Sequence, residues 1–263
     1  DKLNITQGEL LNNQGAIIAD KLVIDSASTI NDNSISSKTL LLEYQNFENT
    51  ENANLLTNEA SYTAKSNTAD FSNYGMQVAS DSMQWLTNQT SSGYYTNAGL
   101  LTGSNLHFSG LNQVTNGVLV DGNIQGSIQA VNNPGAESAE GLLTIGAEEF
   151  SQLGSIEADK LTINREEFHN EGSIYSGELN ANINNEFNNS GILASDAMKL
   201  NAGVLKNAEG ATISTDELSF ENTNVNNAGN LIATAIEVSG NDIPSSYFMN
   251  SESGKLIQNA IEG

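Results

Sequence analysis

One spacing constrains this chain more than any other feature. Gly154, Gly172, Gly191 and Gly229 recur at multiples of about 19 residues, and the same pattern surrounds each of them. Counting from the marker glycine, position +2 is large and apolar (Ile156, Leu193, Leu231) and +4 is small (Ala158, Ser195, Ala233). Positions +7 and +9 are apolar again, as in Leu161 and Ile163, Met198 and Leu200, or Ile236 and Val238. Ala211 takes the marker place once. The frame extends to Gly15, Asn33 and Gly99, with weaker copies from Ala53, Met76, Gly117, Ala136 and Gly254, which makes thirteen windows.

Apolar pairs two residues apart are the period of a strand, so each window holds two short strands whose alternate side chains face one interior. Between them, +5 and +6 carry polar pairs such as Asp20-Lys21, Asp81-Ser82, Asp159-Lys160, Asp196-Ala197 and Asp216-Glu217, which suit an exposed corner. Position −4 adds a third inward place, filled by Leu11, Tyr95, Phe150, Phe168, Phe187 and Val225. Position −2 is Asn in Asn13, Asn31, Asn97, Asn170, Asn189 and Asn227. A unit of about 19 residues with three inward segments cannot bury its own apolar side, so successive units must stack. The expected fold is all-β, a parallel β-helix of about thirteen rungs with irregular inserted loops. Stacking like on like would place the phenylalanines in one interior column and the asparagines in another, where amides bond from rung to rung. At a strand spacing of about 4.8 Å the rod would be roughly 60 Å long.

Within a single segment spanning 1–263, residues 154–239 form the regular region and 43–98 the irregular region. In the irregular region the window spacing stretches, and eight of the sixteen aromatic residues gather there. Trp85 and Tyr95 fall on inward positions. Tyr44, Tyr74 and Tyr94 fall outside the template, where loops would project them as a contact surface, and these three are the candidate receptor-binding residues. Asn132-Asn133-Pro134-Gly135 reads as a turn, and a further irregularity surrounds Pro244, Tyr247 and Phe248. Leu3 and Ile5 match +7 and +9 of a rung whose first half is missing, while Leu256 and Ile261 open a rung that stops at Gly263. A segment cut from a longer filament is therefore expected.

Composition narrows the chemistry. With 9 Lys and Arg against 32 Asp and Glu, for a net charge of −23, the chain lacks the cationic footprint that nucleic acid or an anionic membrane surface requires. No apolar run is long enough to span a membrane. The absence of cysteine removes disulfides, thiolate metal sites and thiol catalysis, and suits a cytosolic or an unfolded-export history. His107 and His169 are too far apart in sequence to make a metal-ligand pair, so no metal and no cofactor are expected. Parallel β-helices also host polysaccharide lyases and hydrolases, which makes Arg165, the one arginine, a candidate beside Glu166, Glu167 and His169; these four read instead as a solvated turn. The glycosylation-like triplets starting at Asn4, Asn88 and Asn188 are what chance yields among 38 asparagines.

The runs Asn13-Gln14-Gly15-Ala16-Ile17-Ile18-Ala19-Asp20, Asn189-Ser190-Gly191-Ile192-Leu193-Ala194-Ser195-Asp196 and Asn227-Ala228-Gly229-Asn230-Leu231-Ile232-Ala233 resemble the repeats of filamentous haemagglutinins. Those are bacterial exoproteins exported by two-partner secretion, and the effectors of contact-dependent growth inhibition belong with them. The resemblance implies a right-handed β-helix, secreted and extracellular on the surface of a Gram-negative cell. It also implies flanking repeats of the same filament and, in the irregular windows, recognition of an outer-membrane protein receptor on a target bacterium. The expected function is thus a non-enzymatic binding module; a plain adhesin stem and a polysaccharide-active enzyme are the alternatives.

The inward frame is testable by itself. Phe168→Asp should lower stability by several kcal/mol, since it buries an unpaired charge, whereas Asp159→Asn at a corner should leave the thermal midpoint nearly unchanged. Equal shifts in the two melts would contradict the frame.

Overall fold

The computed structural model describes residues 1–86, 93–108, 111–120, 122–130, 141–147, 149–239 and 248–258. The window at Ala136, the turn at Asn132 to Gly135, the triplet from Asn88, and Pro244, Tyr247 and Ile261 lie outside them.

The chain is an all-β solenoid of about 12 turns. Strands of neighbouring turns pair in parallel at like positions, as in Ile156 with Ile174, Leu161 with Leu179 and Phe168 with Phe187. Where the repeat is regular, a long strand runs through most of each turn, for instance Ser155–Asn170, Ser173–Asn189 and Ile192–Asn207. The burial of Ser155–Asn170 alternates along the strand, with Ile156, Ala158, Leu161, Ile163, Phe168 and Asn170 inside. Each turn thus offers three outward faces, spanning +1 to +4, +7 to +11, and −5 to −2.

Two features hold the stack. The first is the asparagine column. Asn13, Asn31 and Asn49 each donate an amide hydrogen to the Oδ1 of the next asparagine at 2.7 to 2.8 Å, and the ladder continues through Asn73, Asn97 and Asn116. The second amide hydrogen goes to the backbone carbonyl at +1 of the next turn, as from Asn31 to Asn54 at 3.1 Å and from Asn189 to Thr212 at 3.2 Å. Only a carboxamide supplies two donors and an acceptor at this reach. The second feature is the aromatic column at −4, where Phe168 lies edge-on to Phe187 with ring centroids 5.3 Å apart.

The marker glycine follows from the ladder. Because the ladder draws successive turns together at the bend, a Cβ on Gly191 would lie 2.0 Å from the Gly172 carbonyl oxygen, and one on Gly99 2.0 Å from that of Gly75. A side chain there would force the turns apart.

The rung count differs from the thirteen windows for a local reason. The window at Gly117 is not a rung: Val118–Val120 and Asn123–Gln125 pair antiparallel as a hairpin. The true rung restarts at Gly126, with Ile128 opposite Leu101, and crosses to Leu143 opposite Leu106. The Met76 window is shifted by one residue. Gln77, not Val78, pairs with Leu55 and is buried, and an irregularity between Ala79 and Ser82 absorbs the difference, so Met83 and Trp85 still point inward. The ladder spans these changes, since Asn116 bonds to Gln152 across a sequence separation of 36.

At Gln152 the ladder is broken. Its extra methylene carries the amide onward to the carbonyls of Gly154 and Ser173, and Asn170 Oδ1 is left buried with no partner. Gln152→Asn should restore that bond and raise stability by about 0.5–1.5 kcal/mol. Asn189→Ala should strand a donor on Asn170 and an acceptor on Asn207 and lower it by about 2–4 kcal/mol, while Asn185→Ala on the exposed side should change little. Chemical denaturation of the three variants checks the ordering.

Candidate interaction surface

The irregular turns keep every column and change only their corners. In Asn54–Ala64 the interior positions hold Leu55, Ala60, Tyr62 and Ala64, and the chain re-enters the stack at Asp70–Asn73 after a short excursion. That excursion is tied back by Ser66 Oγ donating to Gln45 Oε1 at 2.7 Å and by Lys65, which pairs with Asp25 and donates to the Ser26 carbonyl at 3.0 Å. Inside, the wider turns are filled with aromatic rings. Phe47 and Phe71 lie 4.4 Å apart, Tyr62 and Trp85 5.0 Å, and Trp85 stacks on Phe108 at 4.5 Å. Gln77 links two buried phenols, donating to Tyr62 Oη at 2.7 Å and accepting from Tyr95 Oη at 3.1 Å.

Of the three candidate tyrosines, two are exposed, though Tyr74 lies at a bend and Tyr94 within the strand Gly93–Asn97 rather than on a projecting loop. Tyr74 and Tyr94 are each 39% exposed. Tyr44 is corrected: it is fully buried, its ring lies edge-on to Phe71 at 5.5 Å, and its hydroxyl has no hydrogen-bond partner. The strand continues its inward alternation to +11, where Ser26, Tyr44, Ala64, Ile183 and Ala202 are all buried; the template stopped at +9. A residue in that column cannot be a surface anchor. Tyr94 sits between Asp70 and Gln113 of the adjacent turns, on the −5 to −2 face.

Arg165 also occupies +11, half-buried in a strand rather than on the expected solvated turn, while Glu166, Glu167 and His169 are exposed. Asn184 Nδ2 donates to Glu166 Oε1 at 2.6 Å, and His169 Nε2 lies 4.0 Å from Glu167 Oε2. These contacts join surface groups within and between turns. No cluster of three or more His, Asp or Glu able to hold a metal occurs among the described residues. The corner carboxylates Asp159, Asp196 and Asp216 are exposed, and Gly177 interrupts their column. Asn189, in one glycosylation-like triplet, is a buried ladder residue. Asp20 is the carboxylate whose pKa is most clearly displaced: hydrogen bonding by Lys38 at 2.9 Å, then by the N-terminal ammonium, lowers it to about 2.

Sequence reasoning missed the hairpin at 118–125. It leaves the corner between the third and first faces, directly after Leu111–Asn116 and before Ser127–Ala130. Leu119 and Ile124 are cross-strand partners and are 69% and 53% exposed. Its base is a pair of glycines, Gly117 and Gly126, at φ of 100° and 130°, and a Cβ on Gly126 would lie 2.7 Å from the Gly117 nitrogen. The signal was present: Asp121-Gly122 between apolar residues is a hairpin turn sequence. The period-19 template covered it.

No family model, no curated protein and no solved structure matches this chain. No helix is long and apolar enough to cross a membrane among the described residues.

Burial holds the phenols of Tyr62, Tyr95 and Tyr44 above the ordinary tyrosine range, with Asp70 adding to the effect at Tyr44. A tyrosine pKa raised in the folded state means that the unfolded chain releases protons first. Stability is therefore full below about pH 10 and falls as pH rises through the unfolded value. An ultraviolet tyrosinate titration should show these three ionising only together with unfolding. Replacing Tyr62 and Tyr95 by Phe should reduce the portion of the signal that is coupled to unfolding.

Proposed function

We propose that this chain is a non-enzymatic binding module of a secreted, cell-surface filament, which recognises a protein receptor on the outer membrane of a target bacterium. Further turns of the same filament are its neighbours, and the context is contact-dependent growth inhibition. One observation carries the reading. In the irregular turns Tyr74 at a bend and Tyr94 on the outward side of a strand are exposed, while the other aromatic residues described there are buried in the core. Tyr175 and Phe248 are exposed elsewhere on the rod, but the irregular turns hold two exposed rings in neighbouring turns, and a binding face concentrates its affinity in such anchors. The acidic charge supports a protein receptor over an anionic lipid surface, since 32 carboxylate side chains repel the latter.

The labelled protein should bind intact Gram-negative cells of a susceptible species, lose that binding when surface proteins are digested, and bind several-fold more weakly as Tyr74→Ala with Tyr94→Ala at unchanged thermal stability. Absence of binding to every species tried would favour the stem. Turnover of an acidic polysaccharide that disappears in Arg165→Ala would favour an enzyme.

A further inference from the structure

The charge of the chain is unevenly distributed, and the gap in it coincides with the hairpin. Asp121 is the only Asp, Glu, Lys or Arg between Asp81 and Glu137. That stretch supplies most of the turns stacked through Met76–Leu86, Leu100–Phe108 and Ser127–Ala130, so the rod carries a nearly uncharged belt between two acidic ends. On the side before the belt stand Glu43, Glu48, Glu59 and Asp70; on the side after it stand Glu149, Glu157, Glu166 and Glu167.

Exposed apolar side chains occur elsewhere on the rod too, as at Ile18 and Tyr175, but in the belt they stand with almost no charge around them. The hairpin displays Leu119 and Ile124 as a cross-strand pair, both more than half exposed. Its root is flanked on one side by the third face, where Tyr94 lies beside Gln113, and on the other by the first face, where Leu100 pairs with Ser127 and with Met76. Gln113 is about 13 Å along the strand from the hairpin root, at about 3.3 Å per residue. The exposed ring and the exposed aliphatic pair thus lie within the reach of one contact. A hairpin of three residues per strand is marginal in water when unsupported, so the rod must hold it at its base, which the glycine neck at Gly117 and Gly126 does.

Resting on the binding-module reading above, we infer that this belt, with Leu119 and Ile124 on its hairpin and Tyr94 on its flank, is the surface that seats the receptor, and that the receptor presents an uncharged apolar patch bordered by cationic residues. Loss of charged side chains at the centre with aromatic and aliphatic side chains in their place is the composition of an interface core. The border follows from complementarity, since the acidic turns on both sides would meet the edge of any partner seated on the belt. A second copy of this chain does not fit. Its own acidic turns would face these, each copy carrying a net charge of −23.

The centre of the contact then lies on the turns of Met76–Leu86, Leu100–Phe108 and Ser127–Ala130 and the hairpin between them, with a kinetic consequence. Seating an apolar core leaves the dissociation rate nearly independent of salt, while the acidic borders make the association rate fall as salt rises.

The test uses the full chain, fluorescently labelled, on intact cells of a Gram-negative species that the wild-type protein labels, and on the same cells after surface proteolysis. Leu119→Asn with Ile124→Asn should weaken binding at least about tenfold, and Tyr94→Ser several-fold. Ile18→Asn and Tyr175→Ser, which alter exposed apolar residues elsewhere on the rod, should stay within about twofold. The thermal midpoints should coincide, because none of these side chains lies in the core. Full binding by the hairpin variant, or loss of binding by Ile18→Asn or Tyr175→Ser, overturns the location. Dissociation that accelerates steeply with salt overturns the uncharged contact. Undiminished binding to digested cells overturns the protein partner. Failure of the wild type to label any species is a failure of the binding-module reading itself, and this inference falls with it.

Discussion

A side-chain amide that donates twice and accepts once from turn to turn is the interaction on which the rest of this structure depends. It acts only when the asparagines of successive turns stand in one column, so it fixes where each turn must return, while leaving the path between returns unconstrained. Sequence separations along the ladder run from 18 at Asn13 to 36 at Asn116, yet the bond lengths stay between 2.7 and 2.9 Å. At Gly99 and Gly191 the close approach of successive turns beside the ladder leaves no room for a Cβ, so glycine accompanies the asparagine at −2 there, while Asn33 takes that place after Asn31. The aromatic column at −4 then fills the volume next to the ladder, and the apolar positions from +2 to +11 fill the remainder.

Because the constraint acts at one corner, length can be added at any corner, provided the chain comes back. This chain adds it at all three: after Ala64 on the third corner, between Asn116 and Ser127 at the ladder bend, and between Ala130 and Leu142 at the second corner. None of these additions interrupts the interior columns. Even the wide turns, where Gln77 replaces an aliphatic residue, satisfy the amide by bonding it to two buried tyrosines.

The same logic explains what could be read from sequence alone. The ladder was legible because it demands a carboxamide at one place in every turn, and the −4 column because aromatic residues recur there among aliphatic ones and Thr29. Tyr44 was not, because +11 holds Ser, Ala, Ile and a half-buried Arg as well as Tyr, and a column without a common chemistry has no signature. The frame at Met76 was misplaced by one because an irregularity of one residue restores the register before Met83, so both frames predict the same buried Trp85. The hairpin at Gly117 was absorbed into the repeat because Leu119 and Ile124 fall on the +2 and +7 places of a rung, although they pair with each other within the hairpin and not with the stack.

Neither the ladder nor the core uses a charge, and this separates the stability of the rod from its surface. Apart from the aromatic hydroxyls and the indole, every buried polar side chain among the described residues is Asn, Gln, Ser or Thr. The ion pairs, such as Lys199 with Glu221 at 2.8 Å, are solvated and contribute little. Outward positions are therefore free to carry any charge pattern that mutual repulsion between turns about 4.8 Å apart allows. Under that freedom most of the length became acidic, which keeps parallel rods from associating. A stretch of more than fifty residues with a single charge is then a departure from the rest of the surface that no requirement of folding explains. The turns of that stretch are as well laddered as the others, through Asn97 and Asn116, so the neutrality belongs to the outside of the rod and to whatever the outside meets.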